Sequence, residues 1–484
     1  MIENLVKKYK RIPVQVRAAW WFLICSFLQK GISTITTPIF TRLLTTSEYG
    51  EYSAFNSWLD IVSIFVTLEV YAGVYVQGLV KFDHDRETFT SSLMGLVTAL
   101  SLGWTFVYLV AQDFWNKVFA LTTVQMLAML VMIWATAIFR FWSAKERVVY
   151  SYRKLVLLTI AVSVAKPLVG IIGVYYANDK VTSRILSLMI VELIGYTGLF
   201  LSQLHRNRTV FNAAYWKYAV LFNIPLIPHY LSQIVLSSSD RLMIKSMVGS
   251  SEAGIYSLAY SMSMIMTLFN TALRQTIEPW MYQKIKEKNV DAIARIAYIS
   301  FSIIAALSLL LILVAPEAVS LFAPKAYHSA IWVIPSVAMG VFFAFSYNFF
   351  SNFEFYFEKR KFIMIASVIG ALLNVVLNYI FIPLYGYYAA GYTTLVCYIV
   401  FSAGHYIFMC KTVKTEMQIE QPYNLKILLS IAGLFLLFGF GFMATYTHPF
   451  IRYSVIGFIA LLSFLKRKQL MGVLKDVLSL KKKR

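Results

Sequence analysis

Three positively charged side chains lie inside apolar stretches of the sequence, where a charge is costly. Lys30, Lys166 and Arg274 each stand among mostly hydrophobic neighbours, and an ionisable group in such a position usually faces a partner or a water-filled cavity. Because Lys and Arg bind phosphate and diphosphate groups well, the three cations favour an anionic ligand. Two plainer interpretations stay open: an ion pair between Lys30 and Asp60, and an anchoring position of Arg274 at the membrane interface.

Acidic groups in similar positions are candidates for coupling to an ion. Asp60, Glu69 and Glu192 could carry a proton or sodium, although a single carboxylate in a membrane helix is as often bonded to neighbouring hydroxyl groups. His229 is a further candidate for contact with an anionic ligand. Neither His229 nor His405 has a second histidine at metal-ligand spacing, so we expect no metal site. We also expect no cofactor and no catalytic residue.

Polar residues recur at intervals of three or four in several apolar segments, which places them on one face of each predicted helix. The stripe through Lys30 continues to Thr37, and the stripe through Asp60 includes Asn56. Four helices with such faces would line a central polar cavity. Besides the charged groups, the residues predicted to line it are Thr37, Asn56, Tyr256, Tyr260 and Gln233.

One of these polar stripes, from His229 to Asp240, lies in a segment that begins with two prolines. Pro225 and Pro228 can interrupt the helix there and free backbone carbonyl groups. At the other end of the stripe, we expect Arg241 to cap the helix locally or to pair with its neighbour Asp240.

The elements that position these residues follow from composition. Of 484 residues, 59% are hydrophobic and 14% charged, which is typical of a protein that crosses a membrane many times. Apolar segments of about 20 residues predict about fourteen membrane-spanning helices. The net charge of +21 comes from Lys and Arg clusters between these segments, mostly on the side of the N-terminus. Both termini are therefore predicted to be cytoplasmic, and no nucleic-acid partner is expected.

An internal repeat organises these helices. The segment SEYGEYSAFNS at Ser47–Ser57 returns as SEAGIYSLAYS at Ser251–Ser261, 204 residues later. Each copy starts the second helix of a group of six, and we interpret its serine as the helix cap and its glutamate as a partner of the helix dipole. We predict an all-α polytopic membrane protein with two parallel, pseudo-symmetric six-helix bundles, residues 1–210 and 211–415, followed by two helices and a basic tail in residues 416–484.

Three segments resemble the signature segments of a known family. They are TRLLTTSEYGEYSAF at Thr41–Phe55, DRLMIKSMVGSSEAGIYSLAYS at Asp240–Ser261 and NVVLNYIFIPLYGYYAAGYTT at Asn374–Thr394. In these segments, and over the whole chain in helix number and repeat organisation, the protein resembles the Wzx-type polysaccharide-repeat flippases of the multidrug/oligosaccharidyl-lipid/polysaccharide (MOP) exporter superfamily.

The resemblance implies two six-helix bundles in a V shape that opens alternately to the cytoplasm and the periplasm, with a cationic cavity between helices one, two, seven and eight. It also implies a cargo of oligosaccharide on undecaprenyl diphosphate, moved from the inner to the outer leaflet of the bacterial cytoplasmic membrane. By position, Lys30, Asp60, Arg274 and His229 would lie in that cavity and Lys166 beside it. Membrane lipid, a glycan polymerase and glycosyltransferases are the expected partners of a monomeric protein.

Other functions stay open at this point. Within the superfamily, the alternatives are a lipid II flippase and a drug/cation antiporter, although an antiporter should accumulate acidic cavity residues and here the two signs are mixed. A membrane glycan polymerase, ligase or acyltransferase would usually need a large periplasmic loop or a buried constellation of His, Asp and Arg, and the sequence shows neither. A receptor or scaffold is disfavoured by the repeat and the buried charges. We therefore expect a transporter rather than an enzyme.

Overall fold

The computed structural model describes residues 13–465, and this part of the chain consists of helices joined by short connections, with no β-strand. The prediction of an all-α fold is thereby confirmed. The chain divides into two units, Met1–Ile234 and Val235–Arg484, with the boundary inside one helix. The bundle boundaries at residues 210 and 415 stay predictions. The basic segments at the two ends of the sequence lie outside the described residues.

Ten α-helices begin in the first unit and nine in the second, within the described range. The first ten are α1 (Val14–Leu43), α2 (Thr46–Thr67), α3 (Gly73–Lys81), α4 (Arg86–Val110), α5 (Gln112–Phe119), α6 (Thr123–Val148), α7 (Tyr152–Tyr176), α8 (Lys180–Arg206), α9 (Ala213–Asn223) and α10 (Ile227–Met247). The others are α11 (Ser250–Ser263), α12 (Met266–Lys286), α13 (Val290–Leu313), α14 (Ala315–Phe322), α15 (Ile334–Tyr356), α16 (Arg360–Tyr385), α17 (Tyr388–Met417), α18 (Leu425–Ala444) and α19 (Pro449–Leu465).

Ten helical segments are long and apolar enough to cross a membrane, so the chain is a multi-pass membrane protein. α1, α2 and α12 are not among them, because polar side chains such as Lys30 and Asp60 interrupt their apolar sequence. α19 is apolar but short. The number of fourteen spans therefore stays a prediction.

The two copies of the repeat begin helices at equivalent positions. α2 begins at Thr46 and α11 at Ser250, again 204 residues apart. The cap of α2 is Thr45, whose Oγ1 accepts from the backbone N–H of Glu48, while the Glu48 carboxylate accepts from the N–H of Thr45 at 2.8 Å. The interpretation of the repeated serines as caps is wrong, because each helix begins before its serine. In the second copy the cap position is Gly249, with φ = +155° and no side-chain cap.

The second helix of the first unit is interrupted, although the apolar pattern predicts one continuous span over residues 50–76. α2 ends at Thr67 and α3 begins at Gly73. Leu68 and Glu69 both have φ = +51°, and the left-handed region costs about 1–2 kcal/mol for a residue with a Cβ atom. The prediction is wrong here because the break contains neither proline nor a glycine in the left-handed region.

The corresponding helix of the second unit is also interrupted, at another level. α11 ends at Ser263 and α12 begins at Met266, within the span predicted over residues 254–275. By the offset of 204, Met264 stands opposite Asp60, so the two copies diverge at this point. A 3₁₀ turn at Ile224–Leu226 separates α9 from α10, which confirms the interruption expected at the two prolines.

Two of the hydrophobic clusters in the first unit contain residues on either side of the break between α2 and α3. Tyr75, Phe89 and Phe141 are fully buried in the cluster that α3 forms with α4, α6 and α9. Phe55 and Val66 of α2 belong to a second cluster with side chains from α4, α6 and α8. α2 therefore packs in one core, whereas Val70 and Tyr71 of the break pack with α3 in another.

In the second unit, α15 and α17 pack closely along their length. Ser346 and Ser402 form a hydrogen bond between their hydroxyl groups at 2.7 Å. A Cβ atom at Gly391 would lie 2.3 Å from the Ser336 hydroxyl oxygen, so a side chain there would require that hydroxyl to move. Helices with small residues at their contact pack well in a membrane.

Candidate ligand pocket and buried charged groups

A pocket of about 200 Å³ lies in the second unit between α11, α12, α15 and α17. It is next to the break between α11 and α12, where Met264 is part of its wall. Apolar side chains make up the rest of the wall. The polar residues that line it are Tyr260, Thr267, Asn270, Thr271, Arg274, Asn348, Thr394 and Tyr398.

Arg274 is the cation on this wall. Its Nη1 donates to Oδ1 of Asn348 at 3.2 Å, and its Nε lies 3.8 Å from a carboxylate oxygen of Glu278. The Arg274 side chain is 53% exposed, so Glu278 balances its charge only weakly. Arg274 can therefore turn N–H groups towards an anion in the pocket.

Asp240 of α10 is the centre of a buried hydrogen-bond network. Its Oδ1 accepts from Nδ2 of Asn378 at 2.6 Å, and its Oδ2 accepts from the hydroxyl groups of Tyr256 at 2.5 Å and Thr394 at 2.9 Å. Asp240 is 1% exposed, and the three bonds satisfy a carboxylate that would be costly to bury alone. Because Thr394 also lines the pocket, the network reaches the pocket wall.

Amide and hydroxyl groups of α16 and α17 extend this network. Asn374 donates to Thr394 at 3.1 Å and accepts from Asn378 and Ser239 at 3.2 Å each. Thr393 donates to the carbonyl oxygen of the Asn378 side chain. α10, α11, α16 and α17 are thus joined by polar contacts within a membrane protein, where few alternative partners exist.

The predicted cavity residues Tyr256 and Tyr260 differ in their surroundings. Tyr256 is fully buried and bonded to Asp240, whereas Tyr260 lines the pocket. The Arg241 guanidinium lies 4.4 Å from the centre of the Tyr260 ring, and its Nη1 donates to the carbonyl of Ser237 at 3.4 Å. Arg241 therefore makes a local contact with the backbone, as expected, and its charge also acts on the neighbouring Asp240.

In the first unit, two of the predicted residues contact each other. Nζ of Lys166 in α7 lies 2.5 Å from Oε1 of Glu192 in α8, and Oε2 of Glu192 accepts from Thr136 at 3.1 Å. The Glu192 side chain is 6% exposed and that of Lys166 31%. A candidate for anion binding thus already has an anionic partner within the protein.

Glu69 lies at the break between α2 and α3. Its backbone is left-handed, its side chain is buried, and Oε1 accepts from the Tyr71 hydroxyl at 2.6 Å. The guanidinium of Arg140 lies 4.9 Å from the centre of the Tyr71 ring. Nδ2 of Asn223 donates to the backbone carbonyl of Leu68 at 2.8 Å, which satisfies one group freed by the break.

The remaining candidates of α1 and α2 are more accessible. Lys30 and Asp60 are exposed, and within the described residues Lys30 forms no ion pair with Asp60. Thr37 is half-buried and donates to the carbonyl of Ser33, and Asn56 is half-buried and donates to the carbonyl of Tyr52. These hydrogen bonds lie within each helix, so the oxygen atoms of Thr37 and Asn56 can still accept from a ligand.

His229 and Gln233 lie one turn apart near the start of α10, and both are half-buried. Nδ1 of His229 is buried and has no hydrogen-bond partner within the described residues. The His229 ring lies 6.0 Å from that of Tyr230. Groups of three or more His, Cys, Asp or Glu side chains that could hold a metal ion do not occur between residues 13 and 465.

Two protein families and two relatives from one bacterium match the sequence. The family described as "Polysaccharide biosynthesis protein" matches residues 16–285, and the family "MatE" matches residues 225–380. The "Lsg locus putative protein 1" of Haemophilus influenzae is 27% identical over 216 residues, which are 42% of this chain and 52% of that protein. An "Uncharacterized membrane protein" of the same organism is 22% identical over 373 residues, 73% of this chain and 86% of that protein. The chain thus matches about half the length of the first relative.

Solved structures of transporters share the fold. "Lipid II flippase MurJ, inward closed conformation" superposes with a TM-score of 0.66 at 14% identity, over 92% of this chain and 99% of that one. A MOP superfamily transporter from Pyrococcus furiosus gives a TM-score of 0.56 at 14% identity, over 83% and 96%. At this identity the likeness shows the fold alone. Because the first family match spans more than half of the chain, the protein belongs to the family of polysaccharide biosynthesis proteins.

Proposed function

We propose that the protein is a flippase that moves an oligosaccharide on undecaprenyl diphosphate from the inner to the outer leaflet of the bacterial cytoplasmic membrane. The observation that carries the proposal is the polar pocket with Arg274 on its wall, in a multi-pass member of the polysaccharide biosynthesis family. Ligand pockets for drug-sized molecules measure about 300–1,000 Å³. A pocket of about 200 Å³ suits a diphosphate group or one sugar rather than a whole repeat unit.

Arg274 and Lys30 are the cations that we assign to the diphosphate. The Nε atom of Arg274 lies 3.8 Å from a carboxylate oxygen of Glu278, and the Arg274 side chain is about half exposed. A phosphate group that enters the pocket can therefore replace this weak ion pair. Lys30 is exposed on α1 and has no ion pair within the described residues. Lys166 is bonded to Glu192, and we assign it a supporting role beside the cavity. His229 adds an uncharged hydrogen-bonding group.

The transport cycle is alternating access, coupled to an ion gradient or to the membrane potential. Asp60, Glu69 and Glu192 are the acidic candidates for this coupling. Glu69 and Glu192 accept hydrogen bonds from Tyr71 and Thr136, an arrangement that suits a structural role as well as ion binding. The lipid tail stays in the bilayer while the sugars cross through the polar space.

We further propose the cellular setting. Both termini face the cytoplasm, where glycosyltransferases assemble the cargo, and a polymerase takes it over in the periplasm. The protein acts as a monomer, moves its cargo without covalent chemistry, and needs no cofactor. This role requires a charged, polar site in the membrane but no catalytic constellation.

The test is deletion of the gene in its native host, followed by complementation. Deletion should accumulate lipid-linked repeat units whose sugars stay inaccessible to an impermeant oxidant applied from the periplasm. The wild-type gene should fully restore access of the oxidant to the sugars, and R274K should restore it in part. R274A should lower export at least tenfold relative to the wild type at equal protein level. K325A, which removes an exposed cation at the start of the 3₁₀ helix Lys325–Trp332, is the matched control and should export normally.

Two results would contradict the proposal. Unchanged glycan export in the deletion strain would exclude the flippase function. In the second result, this gene restores growth to a strain that is depleted of its lipid II flippase. That result would instead assign lipid II as the cargo and favour the alternative within the superfamily.

A further inference from the structure

A second pair of ionisable side chains is buried in the second unit, and neither residue lines the pocket. Glu354 of α15 and His405 of α17 have 0% and 1% of their side chains exposed. Nδ1 of His405 lies 2.8 Å from one carboxylate oxygen of Glu354 and 3.0 Å from the other, so its N–H donates to the carboxylate. Nε2 of His405 is buried and has no hydrogen-bond partner within residues 13–465.

Aromatic rings surround this pair. The rings of Tyr347, Phe362 and Phe401 lie 5.4, 5.5 and 4.5 Å from the imidazole, measured between ring centres. Such surroundings hold little water, so the electrostatic interaction between the two groups is strong. Among the ionisable groups in the described part of the chain, His405 is the one that acts on the Glu354 carboxylate.

Other ionisable groups of the neighbouring helices have their own contacts. Lys359, just before α16, and Glu416, in the last turn of α17, form an ion pair with each other at 2.6 Å. Arg274 of α12 contacts Asn348 and lies near Glu278. Further titratable side chains on helices packed against α15 and α17 include Tyr282 of α12, Asp291, Arg295 and Tyr298 of α13, Lys361 of α16 and Lys426 of α18.

The chemistry of the buried acids distinguishes this pair from the others. Glu192 is bonded to a lysine, and Asp240 to hydroxyl and amide groups, none of which exchanges protons near neutral pH. Imidazole does, since its ordinary pKa is about 6.5. Glu354 with His405 is therefore the buried pair in the described chain that is suited to bind and release a proton.

We propose that the Glu354–His405 pair binds and releases one proton in each transport cycle. The proposal rests on the flippase function and deepens it, because it names the coupling ion and its site. A proton from water adds to the Nε2 lone pair and forms the imidazolium, while Nδ1–H stays bonded to the ionised carboxylate. Release of that proton to water restores the neutral imidazole, and no other bond changes.

The position of the pair links the proton to the cargo. Nε2 is closed off from water, so a proton can reach it only when the packing of α15 against α17 changes. The same two helices form the pocket wall through Asn348 and Thr394. Binding of cargo in the pocket and protonation of His405 therefore both act on the contact between α15 and α17.

The first experiment measures proton binding without cargo. The full-length protein with ¹⁵N-labelled histidine, in lipid nanodiscs, is titrated between about pH 5 and pH 8 by NMR. One resonance that is missing in H405Q should titrate in the wild type. In E354Q its proton affinity should fall about tenfold or more, since the carboxylate that stabilises the imidazolium is gone. H328Q, which changes an exposed histidine, should leave that resonance unchanged.

The second experiment measures coupling. Proteoliposomes receive the lipid-linked oligosaccharide fraction extracted from the deletion strain, and periodate added outside reports which leaflet holds the sugars. A pH difference should drive accumulation in one leaflet for the wild type, H328Q and E354D. E354Q and H405Q should exchange cargo between leaflets without a gradient but should not accumulate it. If E354Q or H405Q is not monodisperse after purification, its transport result is set aside. Proton coupling is then decided by accumulation with E354D and by the NMR titration.

The outcomes separate the two proposals. A His405 resonance that does not titrate, or accumulation by E354Q and H405Q equal to the wild type, would overturn proton coupling at this pair while exchange of cargo continued. A wild type that does not exchange cargo at all would contradict the flippase function, and the titration would still decide whether the pair binds a proton.

Discussion

Lys166 and Glu192 form an ion pair in the first unit, with Nζ 2.5 Å from Oε1. The pair joins a side chain predicted to bind an anionic cargo with one predicted to carry a coupling ion. Each is the other's counter-charge, and Thr136 donates to the free carboxylate oxygen. The charge that Lys166 can offer to a cargo is therefore much reduced.

The first prediction concerns this pair. K166M and E192Q should each lower the free energy of unfolding by about 1–3 kcal/mol, because each leaves a half-buried or buried partner unsatisfied. The double variant K166M/E192Q should recover most of that loss. Thermal unfolding in detergent measures it. If the double variant is stable but does not export glycan, the pair takes part in transport; normal export would give the pair a structural role.

The second prediction separates two neighbouring tyrosines. Y256F should lower the free energy of unfolding by about 1–3 kcal/mol, because the Asp240 carboxylate loses one of its three donors in a buried site. Y260F is the control, since the Tyr260 hydroxyl makes no hydrogen bond to another described residue and the ring lines the pocket. Equal unfolding temperatures for Y256F and the wild type would show that the network contributes little to stability.

The third prediction tests the link between the network and the pocket. T394V removes the hydroxyl that donates to Asp240 at 2.9 Å and changes the pocket wall. We expect lower stability by about 1 kcal/mol together with reduced export, whereas T394S, which keeps the hydroxyl, should retain both. Export and unfolding temperature are measured on the same preparations. Full export by T394V would show that the network acts on stability alone.

The fourth prediction distinguishes the observed helix cap from the one inferred from the repeat. T45A should lower the free energy of unfolding by about 1 kcal/mol, because Thr45 and Glu48 cap α2 reciprocally. S47A should leave stability within about 0.5 kcal/mol of the wild type. A larger effect of S47A than of T45A would contradict the cap assignment.

Much of the architecture could be predicted because it depends on properties local in sequence. Apolar length predicts helices that cross a membrane, and the repeat places two helix starts, Thr46 and Ser250, at equal offset. Pro225 interrupts its helix by removing a backbone donor. The break after Thr67 could not be predicted in this way, since its left-handed residues, Leu68 and Glu69, carry no local signal.

The polar contacts were harder to predict because their members are distant in sequence. Asp240 meets Asn378 across 138 residues, and Glu354 meets His405 across 51. The sequence marks these residues only as polar groups in or near apolar runs, and the two asparagines of NVVLN, Asn374 and Asn378, share a helix face. Which groups pair is decided by the packing of α15, α16 and α17.

The break between α2 and α3 has a mechanical consequence. A continuous helix tilts as a rigid body, so a displacement of one end at one membrane face also displaces the other end at the opposite face. Here the upper piece is fixed in the core around Phe55, and the lower piece in the core around Tyr75. Each piece therefore follows its own core. Because Val70 and Tyr71 already belong to the core around Tyr75, the left-handed turn at Leu68 and Glu69 takes up the difference in angle between the two pieces.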